Sequence, residues 1–349
     1  MTNYRDKERN VMWDEKKVRI IDIAEELGVS TATVSNVIHG KTKKISSATV
    51  KRVQEKLRER GYIPNMAATL LAQNDSRIIG VVVNDHPKYE GRLLEDPFVS
   101  SALNALSDAI ERTGCFFMLK KTTRISDIVP FASMWNMDGM ILLGFCAEDY
   151  QALRDRIRIP FVVYDGFFKN EGNICNLILD DRDGGRQVGN YLKQNGHSRV
   201  LCLADNRLLP DYDRFQGLCE GLGGEADFWE IPMKKVKREA YYESRFMEFL
   251  NYTAIFAVSD YYAADVMFFL KGRGIEIPEQ ISVIGFDDTA LGRIIKPALT
   301  TVRQDVACRA ERAVAFLLEV KKKKDLSLTQ TIPVRLVVRE SSKPALKNV

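Results

Sequence analysis

The sequence predicts an N-terminal all-α helix-turn-helix DNA-binding domain with a hinge helix, followed by a larger α/β domain of doubly wound parallel sheets arranged in two lobes. Three observations predict it. Residues 18–73 hold three short amphipathic segments and then a fourth opened by Pro64. From Ile78 onward, short apolar runs alternate with stretches of helical periodicity. The basic excess also sits at the N-terminus. Residues 1–73 carry 14 Lys+Arg against 9 Asp+Glu, and the whole chain 51 against 47, which leaves the rest nearly neutral at 37 against 38. A neutral remainder excludes a chain that coats nucleic acid along its whole surface.

In the first helix Ile20, Ile23, Ala24 and Leu27 recur at helical spacing, and Gly28 follows where a tight turn needs positive φ. Ser30 is placed to cap a second helix with the apolar stripe Val34, Val37 and Ile38, and Gly40 lies just past its end. Thr31, Ala32, Ser35 and Asn36 share the opposite face, which holds no acid and so can approach phosphates and base edges closely. It reads as a recognition helix. Ser46 or Ser47 caps a third helix, with Val50, Val53 and Leu57 inward and Gly61 closing it. Lys41, Lys43, Lys44, Lys51 and Arg52 crowd the loop and the start of this helix, where a DNA backbone would pass. After Tyr62, Pro64 and Asn65, the segment Met66–Ala72 is short and almost uncharged, too weak to persist alone in water. It reads either as a linker helix packed on its own domain or as an apolar wedge for a minor groove.

Strands are expected at 78–83, 115–120, 139–144, 161–165, 200–204, 254–258 and 281–286, all short apolar runs without strict alternation, as in parallel strands buried on both faces. Helical spacing between them, as in Val99, Leu103, Leu106 and Ile110, completes two doubly wound halves. Ligands of such sheets lie beyond the carboxyl ends of strands. The residues there are Asn84 and Asp85, Asp165, Ser259 and Asp260, and Asp287 and Asp288. Carboxylates bracketing a hydroxyl, with an arginine opposite, suit a sugar or another polyhydroxylated molecule. Taken singly, Ser259, Asp260 and Asp288 also stand where a following helix needs its N-cap.

Cys115, Cys146, Cys175, Cys202, Cys219 and Cys308 form no C-x-x-C pair and read as buried thiols. His39, His86 and His197 have no neighbour at metal-ligand spacing, so neither metal nor cofactor is expected. There is no apolar run of signal-peptide type and none long enough for a membrane span, which implies a cytoplasmic protein with no membrane partner. G-x-G-x-x-G, P-loop and G-x-S-x-G motifs are absent.

The strings DIAEELGVSTATVSNVI, YIPNMAATLLA, DGMILLG, DDRDGGRQVGNYLKQNGHSRV, DRFQGL, GIEIPEQISVIGFDD and PALTTVRQD span nearly the whole length. On them the chain, from Val18 to about Lys343, resembles the lactose-repressor and galactose-repressor (LacI/GalR) family of bacterial transcription regulators. The resemblance implies a periplasmic-binding-protein-like effector domain, a homodimer on a palindromic operator, and a hinge leucine, here Leu71, inserted into the minor groove. The expected domains are a tail at 1–17, the helix-turn-helix at 18–63, the hinge at 64–76 and the effector and dimerisation domain at 77–349. Expected DNA contacts are Thr31, Ala32, Thr33, Ser35, Asn36 and His39 around the second helix, Lys43 and Lys51 to phosphates, and Asn65 and Leu71 in the hinge. For the effector, the resemblance implies Asp183, Arg214 and Asp287 as hydrogen-bonding groups and Phe98 as an apolar wall. Asn84 and Ser259 join them from the strand ends, and Tyr241 or Tyr242 is a candidate for a stacking aromatic.

Departures from the pattern bear on specificity. Ser259 stands where several relatives carry Asn or Asp, and the turn between His39 and Ile45 is one residue longer than in the lactose repressor. Asn36 replaces a common arginine, and Asn pairs best with adenine where Arg prefers guanine. Lys321–Lys324 reads as a solvated run. Residues 1–17 are polar and aperiodic, a disordered tail or a segment upstream of a start at Met12. The reading is therefore a repressor controlled by a small-molecule effector, most simply a carbohydrate. The alternatives are a sugar-binding protein without a regulatory role, and a metal-dependent α/β enzyme using Asp180, Asp181 and Asp183 for Mg²⁺.

Overall fold

The computed structural model describes residues 18–62, 76–145, 147–164, 175–208, 210–322 and 328–345. The tail at 1–17 and residues 63–75, with Asn65 and Leu71, lie outside them, as do Cys146, Asp165 and the side chains of Lys321–Lys324. The chain divides into two compact units, Met1–Asp75 and Ser76–Val349.

In the first unit α1 (Ile20–Leu27) ends on Gly28 at φ 66°, where an L side chain is disfavoured. The Ser30 hydroxyl caps α2 (Thr31–Ile38) by accepting from the Thr33 N–H at 3.1 Å. Ser46 does the same for α3 (Ser47–Glu59) through Thr49 at 3.2 Å. Each cap satisfies an orphan N–H, worth about 1 kcal/mol. Ile23, Val34 and Val53, one from each helix, are fully buried against one another. In so small a core, truncating Ile23 to Ala at about 2–5 kcal/mol approaches the stability of the unit itself.

The second unit holds two six-stranded sheets. The first, in spatial order, is β11 (Leu328–Ile332), β5 (Cys175–Leu179), β4 (Phe161–Tyr164), β3 (Gly139–Leu143), β1 (Ile78–Asn84) and β2 (Phe116–Thr122), all parallel. The second is β12 (Val334–Val337), β10 (Thr300–Gln304), β9 (Ser282–Asp287), β8 (Ala254–Ala257), β6 (Val200–Ala204) and β7 (Asp227–Glu230). Only β12 runs antiparallel there. Strands β3, β4, β6 and β8 are buried along their whole length, which explains their unbroken apolar sequences. The chain passes between sheets after β5, after β10 and between β11 and β12, so neither lobe is continuous in sequence.

Strands β5, β7, β10, β11 and β12 carry no long apolar run and are not among those the sequence predicts. β7, β11 and β12 are sheet edges, which tolerate polar side chains. β10 is polar yet buried, because Thr300, Thr301 and Gln304 each bond to a specific partner: Ser342, Asp260 and Asp287.

Helices α7 (Asp181–Gln194) and α8 (Asp211–Leu222) touch through their backbones. A Cβ on Gly185 would lie 1.9 Å from the Arg214 carbonyl oxygen, and one on Gly217 1.9 Å from that of Arg182. Gly189 and Gly221 repeat the contact one turn on. The pattern G-x-x-x-G on both helices thus sets how closely Asp181 and Arg214 approach.

Candidate DNA interface and ligand cleft

On the first unit, Thr31, Ala32 and Asn36 are exposed on α2 and Ser35 is half-buried beside them. Lys43 and Lys51 are exposed. Lys51 lies 4.0 Å from Glu55, an exposed i,i+4 pair too weak to withdraw it from a phosphate. Thr33 is committed to the N-cap, its hydroxyl 2.9 Å from that of Ser30, and His39 forms the C-cap. Arg52, grouped by sequence with the phosphate-facing cations, instead donates to the Leu27 carbonyl at 3.2 Å and so ties α3 to the end of α1.

On the second unit a cleft of about 950 Å³ opens at the carboxyl ends of both sheets. It sits where strand order reverses, at β1 between β2 and β3 and at β6 between β7 and β8. Asn84 ends β1, and its side-chain amide donates to the Gly144 carbonyl after β3 at 2.8 Å. Asp205 follows β6, Ser259 follows β8 and Asp287 ends β9 at φ 122°, a left-handed conformation that is strained for an aspartate. Phe98 enters from α4 (Pro97–Glu111), whose N-cap Asp96 accepts from the Phe98 and Val99 N–H groups.

Arg214 organises the floor. Its Nε donates to Asp181 at 2.8 Å, one Nη to the Val258 carbonyl at 2.6 Å, and its plane lies 3.7 Å from the centre of the Phe286 ring. It is 8 % exposed. Burial opposes its charge, but Asp181, Asp211 and Asp287 outweigh that and hold it firmly protonated. Burial pushes the Asp287 carboxyl well above the usual range, against the pull of Arg214, and raises Asp96 as well. Burial brings Asp211 up to about 7. Gln304 donates to Asp287 at 2.7 Å, and the Tyr262 hydroxyl donates to Asp205 at 2.7 Å.

Of the effector residues expected from sequence, Asn84, Phe98, Arg214, Ser259 and Asp287 line this one cleft. Ser259 is at the same time the cap of α11 (Asp260–Lys271), accepting from Tyr262 N–H at 3.2 Å. Asp183 does not line the cleft. Its carboxylate is held by Arg186 and by Gln187 at 2.7 Å, and Asp181, two residues earlier and on the side facing α8, is the one that meets Arg214. Tyr241 and Tyr242 pack with Trp229 and Phe249 instead, and the aromatics that line the cleft from this lobe are Tyr261 and Tyr262. Asp288 is no helix cap: it bonds to Arg293, Arg303 and Arg339. Asp180, Asp181 and Asp183 diverge, to the Asp183 N–H, to Arg214 and to Arg186, so they do not form one metal site. Cys308 is exposed, against the expectation of buried thiols, while Cys175 and Cys202 are buried. Asp205 and Asp211 were missed, although the strand-end rule applied to VLCLA points to the first of them.

Comparison with known proteins agrees with both halves. Residues 19–65 match the model for bacterial regulatory proteins of the lacI family, and residues 190–342 match the periplasmic binding protein-like domain. The HTH-type transcriptional regulator GalR of Escherichia coli (strain K12) is 30% identical over 346 residues, covering 94% of this chain and 97% of GalR. Among solved structures, the lac repressor dimer bound to operator and the anti-inducer ONPF superposes with a TM-score of 0.81 at 24% identity, over 94% of this chain and all of that one. A complex of the transcriptional regulator CelR with cellobiose gives 0.67 at 23% identity, over 93% of this chain and all of that one.

Proposed function

We propose, from the premise that the chain belongs to the lacI family of bacterial regulatory proteins, that its cleft is the effector site through which operator binding is controlled. The chain is a DNA-binding transcriptional regulator. The observation that carries the effector reading is Arg214: a buried guanidinium, fixed on two sides by Asp181 and the Val258 carbonyl, in the same cleft lining as the Asp287 carboxyl, whose charge acts on it. A preset donor next to an acceptor, between aromatic walls such as Phe98 and Tyr261, suits a polyhydroxylated ligand. A carbohydrate is the simplest class, in line with the cellobiose in CelR.

Closure of the two lobes on the ligand would link effector and operator affinities, typically by about 1–3 kcal/mol. On DNA the reading is a homodimer repressor on a palindromic operator in the cytoplasm, with Thr31, Ala32 and Asn36 reading bases and Lys43 and Lys51 holding phosphates. It assigns no catalytic step to the chain. Calorimetry on Arg214→Ala and Asp287→Ala tests it. Both variants lose the ligand response and keep ligand-independent operator binding, because the recognition helix belongs to the other compact unit. Unchanged ligand affinity in both variants overturns the reading.

A further inference from the structure

The floor of the cleft is short of positive charge. Asp96, Asp205, Asp211 and Asp287 line it, with Arg214 as the buried cation among them. Asp181, 2 % exposed, already ion-pairs that guanidinium from behind. Of the other cations in the lining, Lys88 acts on the floor from a distance, and Arg92 and Lys235 are exposed at the rim, as are Glu90 and Glu95, so the rim charges largely offset one another.

Apart from the Arg214 guanidinium, one Nη of which stands 3.8 Å from Asp211, the hydrogen-bond donors of the floor carboxylates are neutral ones. Asp205 accepts from the Asn206 amide and the Tyr262 phenol, Asp211 from the Asn206 amide at 3.1 Å, Asp287 from the Gln304 amide, and Asp96 from two backbone N–H groups. Lys88, whose charge acts on Asp96, Asp205 and Asp211, rests over the Tyr89 ring at 5.2 Å and makes no ion pair within 4 Å among the described residues, so it neutralises them only at a distance. A cleft with one buried and three half-buried carboxylates, and a guanidinium with one Nη uncommitted, is electrostatically incomplete. Burial holds Asp211 and Asp287 partly protonated; an ammonium favours their charged form and meets it with charge-assisted hydrogen bonds, which a neutral ligand does not.

Arg214 points to the second half of the ligand. Its free Nη, on a side chain more than nine-tenths buried, has no partner among the described residues and needs an acceptor within the cleft. A ligand carboxylate there would face Asp287 and Asp211; a hydroxyl oxygen would not be repelled.

We propose that the effector is a hydroxyl-bearing primary amine, of the amino-sugar class, whose ammonium is taken by the carboxylates of the floor and whose hydroxyl accepts from Arg214. This rests on the reading of the cleft as the effector site. The probes are D-glucosamine and D-galactosamine, each beside its neutral parent hexose and its N-acetyl derivative. Full-length protein is titrated in phosphate buffer, since Tris is itself a hydroxyl-bearing primary amine. At least one amine should bind ten-fold or more tightly than its parent and its N-acetyl form, and Asp211→Asn should reduce that preference. Equal or tighter binding of a neutral hexose overturns the amine assignment and leaves the effector cleft standing; so does a preference untouched in Asp211→Asn. Failure of both amines to bind also overturns it. An amine that binds Arg214→Ala as well as wild type is bound elsewhere, which overturns the cleft reading along with the proposal.

Discussion

Gly217→Ala tests whether the crossing of α7 and α8 positions the ligand floor. In an isolated helix the change would stabilise by about 0.5–1 kcal/mol, because alanine loses less backbone entropy on folding. Here the new Cβ lands 1.9 Å from the Arg182 carbonyl oxygen, when such contacts essentially never fall below 3.0 Å, so the helices must separate by about 1.1 Å. No rotamer change relieves it, since the opposing atoms are backbone, and Gly221 and Gly189 hold the next turn equally close. Overpacking of this kind costs about 1–3 kcal/mol, occasionally more, so the net loss is about 0–2.5 kcal/mol. The separation also stretches the 2.8 Å bond from Arg214, one turn before Gly217, to Asp181 on the other helix. Urea unfolding supplies the stability, and calorimetry with any cleft ligand supplies the function. Gly224→Ala is the control: nothing lies within 4 Å of its Cβ position. If Gly217→Ala unfolds at the same midpoint as Gly224→Ala and binds ligand like wild type, the backbone contact does not position Arg214.

Asn36→Ala should cost about 1–3 kcal/mol at a single base pair and relax preference there, whereas Lys51→Ala should weaken binding to all DNA alike; a binding selection separates the two. Leu71→Ala is expected to reduce operator bending and specific affinity while the salt-dependent affinity for random DNA stays unchanged, which a bending gel and a salt titration read together. Asp260 is buried, and burial raises its carboxyl to about 6 from an unfolded value near 3.8. Its folded state therefore holds the proton more tightly; that stabilisation is fully present below about pH 4 and is lost as pH rises through about 6, by up to about 3 kcal/mol. Asp260→Asn keeps an acceptor for Thr289 and a partner for Thr301, so its stability should lack this slope between pH 4 and 6; a slope equal to that of wild type assigns the titration to another group.

The first unit was legible residue by residue. Caps at Ser30 and Ser46, the turn at Gly28 and the apolar stripes of α1 to α3 are local features, set by contacts within a few residues, and local chemistry is what a sequence displays. The same holds for the fully buried strands, whose apolar runs need no knowledge of their neighbours. The strand-end rule likewise located Asn84, Ser259 and Asp287, because parallel sheets direct their carboxyl ends to one side.

What the sequence could not settle depends on pairs distant along the chain. Whether Asp181 or Asp183 meets Arg214 is a matter of two residues on one helix, 200° apart in rotation, and the glycine contacts with α8 decide it. The polar strand β10 becomes legible only once Asp260, Asp287 and Ser342 are brought against it, and Tyr261 replaces Tyr241 in the cleft because the latter packs on Trp229. Sequence by itself determined the kind of fold, the three helices of the first unit and the edge of the sheets where the cleft opens, since periodicity and strand direction fix these. The charge balance of the cleft was decided by tertiary structure alone, because a carboxylate's cost depends on the water and the cations left around it.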